Sequence, residues 1–230
     1  MLVISPWLKV RRLKPLELRG GTSRVHVVDD NASFRKAIEG LLRQFGYEVS
    51  TYPSAQHLLD RLPSDDVPSC ILLDVRLPGI SGPELQQRLL ELASTLPIIF
   101  LSGYTDVATT VRTMKAGGQD FLIKPVSSDQ LLQAVERAIA HHHAVLDLKQ
   151  TRARILSRIA TLTPRERQVF ELVIRGKTNK QIAHTLGATE RTMKAHRHGV
   201  MTKMQVRSLA ELVSLAGRFG VLTSDEGQTS

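Results

Sequence analysis

Residues 70–82 read CILLDVRLPGISG. The run from Cys70 to Leu73 has the unbroken apolar character of a strand buried on both faces, yet it ends in the carboxylate Asp74 and a Pro78-Gly79 turn. An ionised carboxylate is costly to desolvate, so at the edge of a core it is paired, bound to a cation, or placed there for chemistry. Three other runs end in the same way: VHVV (25–28) before Asp29 and Asp30, IIFL (98–101) before Ser102, and DFLI (120–123) before Lys124. With EVSTY (48–52) they make five β-rich segments, most of them separated by amphipathic stretches such as SFRKAIEGLLRQF and GPELQQRLLELAS, apolar at i, i+3, i+4 and i+7. This alternation predicts an α/β fold, a parallel sheet with helices on both faces. The carboxyl ends of the strands in such a sheet share one edge, where Asp29, Asp30, Asp74, Ser102 and Lys124 converge.

Three carboxylates share a small site most readily around a cation. An all-oxygen set with few protein ligands suits Mg²⁺, which keeps several of its waters. Beside Lys124 such a site is prepared for a phosphoryl group, with Asp74 as nucleophile, Lys124 and Mg²⁺ neutralising the equatorial oxygens, and Ser102 hydrogen-bonding one of them. A single Asp at a strand end is usually a turn or cap residue. Five polar groups at four coordinated strand ends do not fit that explanation.

The residues VVDD, LLDVRLPGISG, FLSGY and DFLIKP resemble the signature of response-regulator receiver domains, over about residues 24–145. The resemblance implies a doubly wound five-stranded sheet in the order 2-1-3-4-5. It makes Asp74 the phospho-acceptor, and Asp29, Asp30, Asp74 and the carbonyl of Arg76 the Mg²⁺ ligands. Ser102 and Phe121 become the switch pair, with Tyr104 a weaker candidate, and Lys124-Pro125 the family's lysine and cis peptide. Gly118 is a departure, since such domains more often carry Ala there; extra backbone freedom is expected to loosen the preceding helix end.

The 230-residue chain is 42% apolar and 23% charged, a globular composition. Its apolar runs fall well short of the roughly 18 residues that span a bilayer, so no membrane segment and no signal peptide are expected. Cys70 is the single cysteine. It excludes an intrachain disulfide and a cysteine metal site and fits a cytoplasmic protein; its simplest reading is a small buried residue in a strand. The net charge of +9 is uneven: residues 24–146 carry 11 Lys and Arg against 14 Asp and Glu, whereas residues 151–230 carry 14 against 6. A mildly acidic domain followed by a strongly basic one implies that the second faces a polyanion.

Between them, residues 127–162 contain neither Pro nor Gly. Ser127 and Gln130 form a capping box, and Leu131, Leu132, Val135 and Ile139 an apolar stripe, predicting a last receiver helix that continues into a helical linker. His141, His142 and His143 point in different directions on a helix, so a solvated helix end is expected in place of a metal site. Beyond the linker, Thr163-Pro164 with Glu166, Thr178 with Gln181, Thr189, and Ser208 with Glu211 start four helices, with Gly176 and Gly187 ending the first two. Only the turn GAT separates the second from the third, which is helix-turn-helix spacing. In the third, Met193, Val200 and Met204 form the buried stripe. Arg191, Ala195, His198 and Thr202 lie opposite, with Lys194 on the flank: a cationic face suited to the DNA major groove.

This stretch resembles the LuxR-type DNA-binding domain over about residues 158–220, and LTPRERQVFELV followed by GKTNKQIAHTLGATERTMKAHRHGVMTKM is especially like the NarL/FixJ response regulators. Lys194 and His198 fall at base-contact positions, His196 near a backbone-contact position, and Lys177, Asn179, Lys180 and Arg191 where phosphate contacts are common. Ala195 is small, so specificity must come from its neighbours or from DNA shape. Leu209, Leu212, Val213 and Ala216 of the last helix match the family's dimerisation surface, and on one chain they fit ordinary core equally well.

The expected organisation is a basic, disordered extension (1–23), a receiver (24–140), a helical linker (141–157), an all-α four-helix helix-turn-helix domain (158–222) and a disordered tail (223–230). The expected function is a transcription regulator, phosphorylated on Asp74 by a sensor histidine kinase and binding double-stranded promoter DNA as a homodimer, with RNA polymerase a further candidate partner. Phosphatases and mutases with an aspartyl intermediate need a second carboxylate two residues on, where this chain has Arg76. A receiver acting through protein partners alone leaves the basic helix-turn-helix unexplained.

Overall fold

The computed structural model describes residues 23–103 and 107–218. The basic extension up to residue 22, Tyr104 and the tail 223–230 lie outside the described residues. In chain order the elements are β1 (Arg24–Val28), α1 (Ala32–Gln44), β2 (Glu48–Tyr52), α2 (Ala55–Leu59), β3 (Ser69–Asp74), α3 (Gly82–Glu91), β4 (Ile98–Ser102), α4 (Val107–Lys115), β5 (Asp120–Ile123), α5 (Ser128–Ala160), α6 (Pro164–Ile174), α7 (Asn179–Thr185), α8 (Glu190–Met204) and α9 (Leu209–Arg218). The chain divides into two compact units between Asp147 and Leu148.

The first unit is a five-stranded sheet in the order β2-β1-β3-β4-β5, parallel in every pairing. Side chains alternate across it. Val25, Val27, Cys70, Leu72, Ile99 and Leu101 meet Ile38 and Leu42 of α1 and the stripe from Leu131 to Ile139 of α5 on one face. Val28, Ile71, Leu73, Ile98 and Phe100 meet Ala55, Leu58, Leu85 and Leu89 of α2 and α3 on the other. Cys70 is fully buried, and burial raises its thiol pKa, so it behaves as a small apolar residue.

One expectation changes, and Gly118 gains a packing reason: a Cβ there would sit 2.9 Å from the Thr113 carbonyl oxygen and 3.2 Å from the Phe100 ring, so the missing side chain lets the chain pass close to the helix end. His142 is not on a solvated helix end. It is fully buried; its Nδ1 accepts the Ser69 backbone N–H at the start of β3 (2.9 Å), and its Nε2 lies 3.4 Å from Thr95 Oγ1. His141 is exposed and His143 pairs with Asp147 at 3.2 Å, so three adjacent imidazoles have three environments.

The second unit has one core, in which Ile155 and Ile159 of α5 join Val169, Phe170, Val173, Ile182, Met193, Val200, Met204, Leu212 and Ala216. Reciprocal capping boxes start α6 and α7, and Thr189 caps α8 by accepting the Thr192 N–H. Each satisfies backbone donors that the first turn leaves unpaired.

Candidate functional site

The parallel topology brings four strand ends to one edge, and the acidic cluster forms there. Carboxylate oxygens of Asp29, Asp30 and Asp74 lie within 4.8 Å of one another. Asp29 is fully buried and Asp30 exposed, so the cluster opens to solvent on one side. Asp29 Oδ1 accepts the Asn31 N–H at 2.8 Å and Asp74 Oδ1 the Arg76 N–H at 2.9 Å. Lys124 Nζ bonds Asp29 Oδ2 and Asp74 Oδ2, both at 2.6 Å, and sits 4.2 Å from the centre of the Phe34 ring. The ammonium thus offsets the repulsion between two carboxylates that would otherwise destabilise the edge. Burial pushes the Asp29 carboxyl pKa up, although the Lys124 ammonium and the Asn31 N–H pull it down. Burial acts to lower the Lys124 pKa and is outweighed by its bonds to the two carboxylates, which leave it raised.

Ser102 is buried at the end of β4. With Phe121, Val75, Arg76, Ser81, Pro83, Thr109 and Arg112 it lines a cavity of about 220 Å³ next to Asp74. The half-buried Phe121 ring stacks on Phe100 with centroids 6.4 Å apart, so one edge of the cavity is an aromatic ring and another a hydroxyl. The Lys124-Pro125 peptide is cis. The donor set of the cluster is all oxygen with an open side, which fits a hard cation that keeps waters.

In the second unit Arg191, Lys194, Ala195 and His198 are exposed on α8 and His196 is half-buried, while Met193, Val200 and Met204 face the core. Lys177 and Lys180 are exposed at the start of α7. Asn179 is half-buried and its Oδ1 accepts a bond from Arg197 Nη1 at 2.9 Å, joining the two helices of the motif. Sequence reading passed over Arg197 because the exposed face was counted from α8 alone; the spacing between Asn179 and Arg197 has no local signature. In α9, Leu212 and Ala216 are closed inside the core, so of the four apolar positions only Leu209 and Val213 keep accessible surface.

Residues 25–136 match the family model described as response regulator receiver domain, and residues 160–216 the model described as bacterial regulatory proteins, luxR family. Nodulation protein W of Bradyrhizobium diazoefficiens is 42% identical over 205 residues, 89% of this chain and 90% of that protein. The transcriptional regulatory protein FixJ of the same organism is 41% identical over 86% of this chain and 96% of its own length. This chain is a NarL/FixJ-type response regulator. Among solved structures, the response regulator StyR matches with 41% identity and a TM-score of 0.77, covering 86% of this chain and all of that one. Full-length FixJ from B. japonicum matches with 40% identity and a TM-score of 0.53, covering 87% and 98%. This response regulator therefore pairs a receiver of the 2-1-3-4-5 fold with a LuxR-type helix-turn-helix, and it is a DNA-binding member of a two-component system. A receiver acting without DNA is not favoured. Among the described residues no helix is long and apolar enough to cross a membrane.

Proposed function

We propose that this response regulator is a cytoplasmic transcription factor whose receiver takes a phosphoryl group on Asp74 from a sensor histidine kinase. The observation that carries the reading is Lys124 Nζ lying 2.6 Å from Asp74 Oδ2 at the strand edge where Asp29 and Asp30 also converge. A carboxylate oxygen of Asp74 attacks phosphorus, the P–N bond to the kinase imidazole breaks as the P–O bond forms, and the imidazole leaves with a proton. Lys124 then has a phosphoryl oxygen to neutralise, and Ser102 a new acceptor for its hydroxyl. Asp29, Asp30, Asp74 and the Arg76 carbonyl would hold Mg²⁺, which supplies charge neutralisation at the phosphoryl oxygens. Movement of Ser102 toward the phosphoryl group opens room for Phe121 to turn inward, and this biases a two-state receiver.

The output is phosphorylation-promoted dimerisation and binding to promoter DNA. Lys194 and His198 read base edges, with Ala195 beside them on α8; Lys177, Asn179, Lys180, Arg191 and His196 meet the backbone. Leu209 and Val213 are the accessible part of a dimer contact on α9, and RNA polymerase is a further partner at the promoter. The test compares wild type with Asp74→Asn after incubation with acetyl phosphate and Mg²⁺. Wild type gains one acid-labile 80 Da adduct (HPO₃, by mass) and dimerises, and Asp74→Asn does neither. An adduct on another residue, or equal DNA binding by both proteins after treatment, overturns the switch.

A further inference from the structure

Glu166 is 9% exposed, an unusual degree of enclosure for the acid of a capping box, whose ordinary place is the wet first turn. Its Oε2 accepts the Thr163 N–H at 2.8 Å and the Lys203 ammonium at 2.6 Å, and the same ammonium donates to the Thr161 carbonyl at 3.2 Å. Its Oε1 lies against Gly199, where an added Cβ would be 2.6 Å away. Gly199 and Lys203 are four residues apart on α8, so the carboxylate of α6 meets one face of that helix on successive turns. A glycine inside a helix weakens it relative to alanine, and the approach of Glu166 accounts for this one. At the far end of α8, Arg158 Nη1 donates to the Met204 carbonyl at 3.1 Å and Arg158 Nη2 to Gln205 Oε1. The C-terminal half of α8 is therefore fastened to its own domain, and the exposed side chains of the N-terminal half extend from that anchor.

We infer that Glu166 is a positioning residue for DNA reading: its carboxylate, seated on Gly199 and tied to Lys203, fixes the rotation of α8 about its own axis. The inference rests on the DNA-binding reading above. On a helix whose side chains reach a radius of about 5–6 Å, a rotation of roughly 10° moves their tips by about 1 Å, which is enough to break a hydrogen bond to a base edge. Contacts between flexible lysines and phosphates tolerate the same movement. Glu166 therefore controls choice of sequence more than affinity for DNA in general.

The test is a double-mutant cycle on the full-length phosphorylated protein, using a duplex that wild type selects from a random pool, with random duplex as the competitor. Circular dichroism first establishes that each variant is folded at the assay temperature. Gly199→Ala pushes against the carboxylate and is expected to lower the ratio of target to random affinity on the order of tenfold, the value of about one base pair of discrimination. In a Glu166→Ala background Gly199→Ala has nothing to push against, and its effect on the ratio is expected to vanish. A purely structural role lowers both affinities together and leaves the ratio unchanged. Additive effects of the two substitutions, or an unchanged ratio in Gly199→Ala, overturn the inference. Failure of wild type itself to prefer any duplex instead overturns the DNA-binding reading on which it depends.

Discussion

At single residues, burial decides which chemistry each group can perform. Asp30 is open to solvent and Asp74 is nearly enclosed, whereas Asp29 is fully buried; the last two are each held by Lys124 and a backbone N–H. Gly118 shows how packing can require glycine. It lies just past the end of α4, and an alanine methyl there would press on the Thr113 carbonyl and Phe100. Gly118→Ala is expected to destabilise the receiver by about 1–3 kcal/mol, seen as a lower urea midpoint with an unchanged slope. Glu166 gives a pH dependence with a definite sign. Its bond from Lys203, helped by the Thr163 N–H, holds its pKa at about 2 against an ordinary 4.5. The folded state thus binds this proton less readily than the unfolded chain, so the stabilisation is complete above about pH 4.5 and is lost as pH falls toward 2. Wild type is expected to exceed Glu166→Gln in denaturant midpoint near neutral pH, and the gap to close through that acid window. The place of Asp74 in the acidic cluster was legible in sequence because its signal is local, an abrupt carboxylate after an apolar strand. The seat of Glu166 on Gly199 and the burial of His142 were not, because each depends on a neighbour dozens of residues away.

At the scale of elements, period and punctuation carried most of the information. Alternation of β-rich and amphipathic segments was enough for a parallel sheet, and the resemblance supplied the strand order that the ladder pairings bear out. The start of α8 at Glu190 and its stripe of Met193, Val200 and Met204 follow from the cap at Thr189 and a 3.6-residue period. Periodicity could not tell a dimer surface from core in α9, because both are apolar stripes; only the packing of Leu212 and Ala216 against the rest of the domain separates them. The exposed face of α8 leads to paired expectations. Lys194→Ala weakens binding and relaxes base preference, whereas Lys180→Ala weakens it equally on all sequences and lowers the salt slope by about one unit. Titrations of target and random duplex at several salt concentrations check both, and Lys194→Ala losing equal affinity for the two duplexes contradicts a base-reading role.

For the whole molecule, two cores and two charge characters sit on one chain. The receiver core is built around the sheet, the second core around α6 to α9 and the end of α5, and each buries its own apolar residues. The net positive charge is concentrated in the second unit, as a polyanion partner requires, and the acidic cluster in the first. Thermal unfolding is expected to proceed in two steps. Mg²⁺ at about a hundred times its dissociation constant adds roughly 2.7 kcal/mol to the receiver step alone, and duplex DNA raises the other step in a salt-dependent manner. Calorimetry with each ligand checks this, and a single transition raised by both contradicts independent cores.

The imidazole of His142 works as a key in a lock at the amino end of β3. Each residue of an α-helix advances the azimuth by about 100°. One codon inserted or deleted between Ile139 and His142 would turn the key away from the Ser69 amide while leaving the apolar stripe before it seated. The spacing along that stretch of helix is thereby fixed in phase as well as in length, and a graft of this receiver onto another output domain should be spliced after residue 142.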